Sequence, residues 1–295
     1  MHDPPAVPLD AREALTRRKF NARLFRWHVH ARRPLLIREA ATPWEVLVAE
    51  VMSQQTGVDR VGPAWRRFVD RWPTAGELAV AGTHELLSTW AGLGYNRRAL
   101  NLRETARSIV ADYGGHVPET VDALKRLPGI GPYTARAVAA VAYGVPVAPL
   151  DVNVRRVVSR VLGATAPPPR LQATADALVS RGQPGRWLDA VMDLAAGTCT
   201  PRAPRCDECP VASMCASRGA HVTAPPRPRT IPFPMTTRWL RGRLVALLTE
   251  APAGAWVELP RSLGEHDADA IALAALGLER DGLFELSDRS ARIRT

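Results

Sequence analysis

The chain has 295 residues, of which 46% are hydrophobic, so it can bury a large core and form two or three lobes. Its 39 Lys and Arg residues outnumber 29 Asp and Glu, and the resulting net charge of +10 makes nucleic acid the leading class of partner. Only Lys19 and Lys125 are lysines, so nearly all of this charge is guanidinium, which binds phosphate as a fork, although genome base composition also enriches arginine.

The N-terminal segment excludes a secretory signal, because residues 1–20 carry prolines and charges where an apolar run is needed. No apolar stretch reaches the roughly 18 residues of a membrane span. The four cysteines all lie between Cys199 and Cys215, and this clustering favours a metal site over the disulfide framework of a secreted protein. We therefore expect an intracellular protein without membrane contact.

The first predicted elements are two helices joined by a polar turn. Residues 10–30 predict an amphipathic helix, and a turn follows over 32–41. Thr42 and Pro43 then suit the N-cap and the first turn of a second helix. This helix should face the core with a stripe at i, i+3, i+4 and i+7, formed by Trp44, Leu47, Val48 and Val51.

Glu50 lies beside this stripe and is either a surface carboxylate paired with an arginine or a functional acid. The polar segment 53–57 is more typical of a solvated helix end than of a ligand-reading segment. Tyr95, after two glycines, is either a buried turn aromatic or an exposed stacking ring. Because no strand alternation is found here, we predict an all-α region with helices at 58–71, 76–81, 83–91, 96–112 and 119–127.

The stretch Leu127-Pro-Gly-Ile-Gly-Pro-Tyr-Thr-Ala135 predicts two helices joined by a glycine hairpin. Gly129 and Gly131 flank Ile130, so the backbone can turn tightly without Cβ atoms in the way. Pro132 suits the first turn of the second helix. Such a loop presents N–H groups beside a helix N-terminus, which is a phosphate-binding arrangement. The alternative is an ordinary packing corner between two helices.

An aspartate follows the hairpin closely in sequence. Asp151 is predicted as the N-cap of a helix over 152–162, and capping alone explains an aspartate there. The short separation would nonetheless bring its carboxylate close to any DNA that the hairpin holds. Residues 164–170 predict a proline-rich loop, and further helices are predicted near 171–181 and 185–197.

The cysteines are spaced Cys199-x6-Cys206-x2-Cys209-x5-Cys215. Four thiolates within 17 residues form either a tetrahedral zinc site or the ligands of a [4Fe–4S] cluster. The spacing matches neither the bacterial ferredoxin run nor the usual zinc ribbon.

The C-terminal part of the sequence begins with a linker. Residues 221–234 contain five prolines. Helices over 238–250 and 268–280 and a short hairpin over 283–293 then resemble a small winged-helix module.

The glycine hairpin, the aspartate after it and the cysteine spacing together resemble the helix-hairpin-helix DNA glycosylases of the endonuclease III superfamily. The stretches Ala49-Glu-Val-Met-Ser-Gln-Gln-Thr56, Gly92-Leu-Gly-Tyr95 and Met192-Asp-Leu-x-Ala-x-x-Cys199 resemble its A/G-specific adenine glycosylase (MutY) branch. The resemblance covers about residues 10–220. It implies an all-α, two-lobed glycosylase domain at 1–220 that includes a cluster loop at 199–215, followed by a linker at 221–237 and a winged-helix-like module at 238–295.

The resemblance also implies an activity and its residues. The enzyme would hydrolyse the N-glycosidic bond of a flipped-out adenine mispaired with 8-oxoguanine or guanine, which is a task for two carboxylates. Glu50, whose apolar neighbours should raise its pKa, would protonate the base, and Asp151 would stabilise the sugar cation. Asn153 and Tyr133 match positions that orient these groups. Bifunctional relatives carry a Schiff-base lysine where Tyr133 stands, so we expect no lyase activity.

Further residues carry over as a cofactor site, a DNA surface and a base pocket. A [4Fe–4S] cluster would be bound by Cys199, Cys206, Cys209 and Cys215. The expected DNA contacts are Gln54, Gln55, Thr56, Tyr95, Gly129, Ile130, Gly131, Arg202 and Arg205. The expected base pocket is Arg33, Leu35, Ile37 and Arg38. The implied partner is double-stranded DNA with a mispair, bound by a cytoplasmic, nucleoid-associated monomer.

The sequence departs from the family pattern at several positions. Ile37 replaces a pocket tryptophan, Ser53 a leucine, Asn96 an aromatic residue and Val152 a glycine. The C-terminal region is also too short for the Nudix-like domain that helps many relatives recognise 8-oxoguanine. These departures bear on the choice of base more than on the reaction.

Two rival functions share parts of this pattern. A thymine or uracil mismatch glycosylase would have the same hairpin, tyrosine, aspartate and cluster, but Glu50 within Val-Met-x-Gln-Gln-Thr argues against it. A non-catalytic iron–sulfur DNA-binding protein would use the hairpin and the C-terminal module. The presence of both Glu50 and Asp151 argues against that function.

Overall fold

The computed structural model describes residues 11–163, 168–219 and 231–294 and is mainly helical, as predicted. The 3₁₀ turns are Leu36–Glu39, Cys206–Glu208, Ala212–Met214 and Phe233–Met235. The helices and strands are α1 (Ala11–Ala31), α2 (Pro43–Ser53), α3 (Val58–Arg71), α4 (Ala75–Ala79), α5 (Thr83–Thr89), α6 (Arg97–Tyr113), α7 (Val121–Arg126), α8 (Pro132–Ala142), α9 (Val152–Leu162), α10 (Pro168–Leu178), α11 (Pro184–Gly197), α12 (Thr237–Glu250), β1 (Val257–Glu258), α13 (Ala268–Arg280), β2 (Phe284–Ser287) and β3 (Ser290–Ile293).

The chain divides into two compact units. The first contains the described parts of Met1–Pro34, Glu119–Asp122 and Gly131–Pro225. The second contains the described parts of Leu35–Pro118, Ala123–Ile130 and Pro226–Thr295. The C-terminal module thus belongs to the same compact unit as α2–α6.

The first unit has its core between α1 and α9–α11. Phe20 and Leu24 of α1 pack in one buried cluster with Val157 of α9, Leu171 of α10 and Trp187 of α11. Each of these side chains is at most 1% exposed, so their burial supplies most of the energy that holds α1 in the unit.

The second unit has a tryptophan-rich core. Trp44, Trp65, Trp72 and Trp90 are all buried. Trp44 Nε1 donates to the Trp72 carbonyl at 2.9 Å and Trp65 Nε1 to the Glu45 carbonyl at 3.0 Å, so these indoles are buried without losing their hydrogen bonds. The four residues of the predicted stripe on α2 are buried, which confirms the direction in which this helix faces.

Local sequence explains where the helices begin. Thr42 and Glu45 form a capping box at α2, with Thr42 Oγ1 accepting from Glu45 N at 3.2 Å. Asp267 caps α13 by accepting from Ala270 N at 2.9 Å. Thr236 caps α12 by accepting from Trp239 N at 3.2 Å, which sets the start of the C-terminal module.

The C-terminal module contains a small antiparallel sheet with strand order β1-β3-β2. Phe284 pairs with Ile293 and Val257 with Ala291, and three of these four side chains are buried. The order helix, strand, helix, hairpin agrees with the predicted winged-helix-like module. Strand β1 was not predicted, because two residues are too few to show an alternation.

Two predicted loops differ from the structure. The predicted polar turn over 32–41 contains the 3₁₀ turn Leu36–Glu39. The predicted proline-rich loop over 164–170 is wrong at its end, because Pro168–Arg170 form the first turn of α10, where prolines cost no hydrogen bond. Residues 164–167 lie outside the described residues. In the described part of the chain, no helix is both long and apolar enough to cross a bilayer.

Candidate active site and cysteine loop

Asp151 is the N-cap of α9, as predicted. Its Oδ1 accepts from the backbone N–H groups of Asn153 at 2.8 Å and Val154 at 2.7 Å. Its Oδ2 accepts from Asn153 Nδ2 at 2.7 Å. Three donors fix the direction of the half-buried carboxylate, so capping and a directed role in catalysis are compatible in this residue.

A hydrogen-bonded chain leads from Asp151 to the cysteine loop. Arg156 Nη1 donates to Asn153 Oδ1 at 3.1 Å, and its Nε donates to the Cys199 carbonyl at 2.8 Å. Nη2 donates to the Ala195 carbonyl at 2.9 Å. Burial lowers the pKa of Arg156, while the Cys199 thiol and the Asp151 carboxylate act in the opposite direction. Asn153, which orients Asp151, is therefore bound by Arg156, and Arg156 is in turn bonded to the backbone of Cys199, the first of the four cysteines.

The four cysteines form no disulfide with one another, and all of them are half-buried. Burial raises the pKa of the Cys209 and Cys215 thiols, and the charges of the neighbouring cysteines raise it further. Four thiolates here would repel one another, and iron cations would offset that cost. The donor set therefore fits an iron–sulfur cluster.

Arg160 binds the same loop from α9. Its Nη1 donates to Cys199 Sγ at 3.4 Å and to the Thr200 carbonyl at 2.7 Å, while its own carbonyl lies 3.3 Å from Cys215 Sγ. Gly163, at φ 71°, ends α9 against the loop: a Cβ there would lie 2.6 Å from Ala216 Cβ. A side chain at this position would push the loop away from α9.

The hairpin lies against α6 in the second unit. Thr105 Oγ1 donates to the Pro128 carbonyl at 2.5 Å. Gly129 has φ 75°, and a Cβ there would lie 3.0 Å from Asn101 Cβ, so both its conformation and its space require glycine. Ile130 is buried at 6% exposure, which makes it an anchor of the turn. The DNA contact predicted for this segment would therefore involve its backbone and not the Ile130 side chain.

Beyond the turn, the second hairpin helix begins as predicted. Gly131 is the N-cap of α8 and offers no side chain, so the first N–H groups of the helix have no cap from it. Pro132 follows as the first residue of the helix, and Tyr133 packs half-buried against the core of the first unit.

Glu50 lies in the last turn of α2, in the second unit. It is half-buried, and its chain neighbours Ala49 and Val51 are 5% and 3% exposed. At the end of this helix Gln54 is the C-cap, and Gln55 is exposed with φ 54°, in the left-handed region that few non-glycine residues adopt.

Thr56, the next residue, is buried and bonded to Arg98, which sequence reasoning missed. Arg98 Nη2 donates to Thr56 Oγ1 at 2.9 Å and to the Gly94 carbonyl at 3.0 Å. Nη1 donates to the Val51 and Met52 carbonyls at 2.9 and 2.8 Å. One guanidinium thus joins the end of α2 to the turn before Tyr95. Burial lowers the pKa of Arg98 to about 10, so it stays charged at neutral pH.

The expected base pocket is divided between the units. Arg33, in the first unit, donates from Nε to Asp193 Oδ1 at 2.6 Å, and His28 Nε2 lies 2.9 Å from the other oxygen. The Asp193 carboxylate is buried and Arg33 is partly exposed, and their contact fastens the end of α1 to α11. Ile37 and Arg38 lie in the 3₁₀ turn of the second unit and are half-buried, as is Leu35, which precedes the turn.

The two arginines expected at DNA in the cysteine loop differ in their surroundings. Arg202 is exposed. Arg205 is also exposed but donates from Nη2 to the Gly197 carbonyl at 2.7 Å and pairs with Glu208 at 3.0 Å. The structure therefore gives Arg205 a bracing role within the loop.

Among the missed arginines, only Arg156 had a signal in the sequence. Asn153 and Arg156 stand three apart on a helix, a spacing that places side chains on one face. Arg98 and Arg160 had no such signal, because arginine is common throughout the chain.

Comparisons with known proteins agree with this geometry. Residues 48–181 match the family model of the HhH-GPD superfamily of base excision DNA repair proteins, and residues 199–215 match the iron–sulfur binding domain of endonuclease III. An adenine DNA glycosylase of Mycolicibacterium smegmatis is 42% identical over 234 residues, covering 77% of this chain and 80% of that protein.

Solved structures share the fold. A thermostable thymine-DNA glycosylase superposes with a TM-score of 0.66 at 28% identity, covering 70% of this chain and 97% of that one. A non-covalent endonuclease III–DNA complex superposes with a TM-score of 0.59 at 23% identity, covering 70% and 95%. The chain is a DNA-binding glycosylase of base excision repair with a [4Fe–4S] cluster on its four cysteines, and it belongs to the adenine DNA glycosylase branch of the HhH-GPD superfamily.

Proposed function

We propose that the enzyme removes adenine mispaired with 8-oxoguanine or guanine, by hydrolysing the N-glycosidic bond of a flipped-out nucleotide. The observation that carries this proposal is the fixed Asp151 carboxylate at the start of α9. It occurs in a chain that is 42% identical to a protein named adenine DNA glycosylase.

Positive charge develops in two places during the reaction, on the leaving base and on the sugar. Adenine leaves readily only when it is protonated, and the sugar then carries an oxocarbenium-like positive charge. Glu50 donates the proton to the base and afterwards accepts one from the attacking water. Asp151, oriented by Asn153, stabilises the sugar cation. Tyr133 lies on α8 and assists in orienting these groups.

DNA is held by backbone and cationic groups around this chemistry. The start of α8 after Gly131 binds a phosphate, because the positive end of the helix dipole attracts an anion there. Gln54, Gln55 and Tyr95 contact the bases around the extruded nucleotide. Arg202 contributes a phosphate contact from the cysteine loop.

We propose the same organisation as the sequence predicts: a glycosylase domain at 1–220, a linker at 221–237 and a C-terminal module at 238–295. The protein acts as a monomer in the cytoplasm, where it is associated with the nucleoid through DNA. Size-exclusion chromatography with light scattering, with and without a duplex, tests the monomer.

Purified protein on a panel of duplexes tests the choice of base. Adenine opposite 8-oxoguanine, adenine opposite guanine, and thymine or uracil opposite guanine are incubated in parallel, and alkali reveals abasic sites. We expect strand breaks only at adenine. Faster release of thymine or uracil would favour a thymine glycosylase, the function named for the structural neighbour with a TM-score of 0.66.

The absence of lyase activity has its own test. Tyr133 stands where bifunctional relatives place a Schiff-base lysine, so borohydride should trap little covalent protein–DNA adduct. Strong trapping by the wild type would contradict the proposal. The Tyr133→Lys variant supplies an amine at this position and serves as the positive control.

A further inference from the structure

The turn that carries Tyr95 needs outside support. Gly92, Gly94 and Tyr95 have φ of 85°, 67° and 48°, so three of its four residues adopt the left-handed conformation. This conformation is strained for tyrosine. Tyr95 is nonetheless 39% exposed, so burial alone does not fix the direction of its ring. Something else must hold the ring if it is to meet DNA in one orientation.

Two guanidinium groups hold this turn. Arg98 binds the Gly94 carbonyl from within the core, and its Cζ lies 5.6 Å from the centre of the Tyr95 ring. Arg238 reaches the ring from the C-terminal module: its Cζ lies 3.9 Å from the ring centre, and its Nη1 donates to the Tyr95 hydroxyl at 2.8 Å. Arg238 therefore stacks on the ring and holds its hydroxyl at the same time, which a planar guanidinium allows.

The C-terminal module is fixed in the same unit by other contacts. His84 Nε2 of α5 lies 2.9 Å from the Ala251 carbonyl, and Arg97 of α6 pairs with Asp281 at 3.1 Å. Arg238 thus reaches Tyr95 from a module whose position is fixed by these contacts.

The charge around the ring favours a polyanion. Within the described residues, no carboxylate forms an ion pair with Arg238, and the charge of Arg238 lowers the pKa of Arg98, after burial as the main cause. Two mutually repelling cations beside an exposed ring form the combination with which proteins stack bases next to phosphates.

We propose that Arg238 is a positioning residue for Tyr95 and that the C-terminal module is thereby part of the DNA-reading surface. The inference rests on the proposed function, since it assumes that Tyr95 stacks beside the mispair. Arg238 keeps the ring in its left-handed turn before DNA arrives, so the duplex does not have to order it.

A double-mutant cycle between Arg238 and Tyr95 tests this positioning. Affinity for an adenine:8-oxoguanine duplex is measured for the wild type, Arg238→Gln, Tyr95→Ala and the double variant, all with intact cluster absorbance and Tm. We expect Arg238→Gln to weaken binding by about tenfold, comparable to the loss of one stacking contact. In the Tyr95→Ala background the same change should have almost no further effect.

Matched controls separate position from charge. Arg243 is exposed on the same helix, so Arg243→Gln removes the same charge and should change affinity by less than about twofold. Arg238→Lys keeps the charge but cannot stack and bond the hydroxyl together, so it should behave like Arg238→Gln.

Two results would overturn the inference: losses for Arg238→Gln and Tyr95→Ala that simply add, or an Arg238→Gln effect no larger than that of Arg243→Gln. Binding is measured separately from base release. A wild type that binds the duplex but releases no adenine would contradict the proposed function, and the binding cycle would still decide this inference.

Discussion

The two carboxylates that we propose for catalysis have different surroundings. Asp151 stands at the start of a helix, where three N–H donors fix it and a chain of hydrogen bonds continues to the cysteine loop. Glu50 stands in the last turn of α2, between neighbours that are buried in an apolar core. The direction of Asp151 thus depends on a polar network that continues to the cysteine loop, whereas Glu50 lies between apolar chain neighbours, so a mutation in that network should act on Asp151 first.

The largest effect should come from neutralising either carboxylate. Glu50→Gln and Asp151→Asn should each lower the single-turnover rate of adenine release by ~10²–10⁴-fold, because one charge-stabilising or proton-donating group is lost. Duplex affinity should remain, since phosphate contacts supply most of it and no cation is removed. Asp112→Asn, on the exposed side of α6, is the control. A wild-type rate in either variant would remove that residue from the mechanism.

Loss of the cluster should have the second-largest effect. The wild type purified without oxygen should contain about four irons and no stoichiometric zinc. Cys206→Ser should lower the iron content, the Tm and duplex affinity together, because the loop loses its cross-links. Near-ultraviolet signals of the tryptophan-rich second unit should survive. One zinc per chain, or a Cys206→Ser protein with full affinity, would contradict this prediction.

Arg156→Gln should have an intermediate effect. The variant cuts the path between Asn153 and the Cys199 carbonyl but leaves both carboxylates in place. We expect a decrease in the rate of adenine release of roughly 10–100-fold, the usual size for a residue that orients a functional group. Arg155→Gln, its exposed neighbour, controls for charge. Equal rates for the two variants would show that the network does not position Asp151.

The smallest effect should come from the base pocket. Ile37→Trp restores an aromatic surface in the 3₁₀ turn of the second unit, and a gained stacking contact at the low end of its range contributes about 1 kcal/mol. The ratio of adenine release opposite 8-oxoguanine to release opposite guanine should rise about fivefold. An unchanged ratio would mean that Ile37 does not contact the base.

The fold could be predicted because local signals are strong in this chain. The apolar stripe of α2, the threonine and aspartate caps and the glycines that end helices all act over one or two turns. The start of α10 was missed because its prolines suggest a loop, although the first turn of a helix accepts them.

The motifs of the site could be predicted from the sequence, but most of its side-chain contacts could not. Asp151 was predicted because a cap has a clear local pattern. Arg98 binds Met52, 46 residues away, and Arg160 binds Cys199, 39 residues away, so no local pattern shows their roles. Arg156 had a local signal only in its spacing from Asn153, because its bond to Ala195 spans 39 residues. Arg33, expected in the base pocket, pairs with Asp193, 160 residues later in the chain, and no local pattern shows this contact.

The distance in sequence between α1 and its partners has a consequence for synthesis. His28 reaches Asp193 across 165 residues, and Phe20 and Leu24 pack against helices that are made equally late. At 5–20 residues per second, this helix waits roughly 10–30 s on the ribosome before its partners emerge. During that time its apolar face is open to chaperones and to other nascent chains, so α1 becomes stable only after α9–α11 have been made.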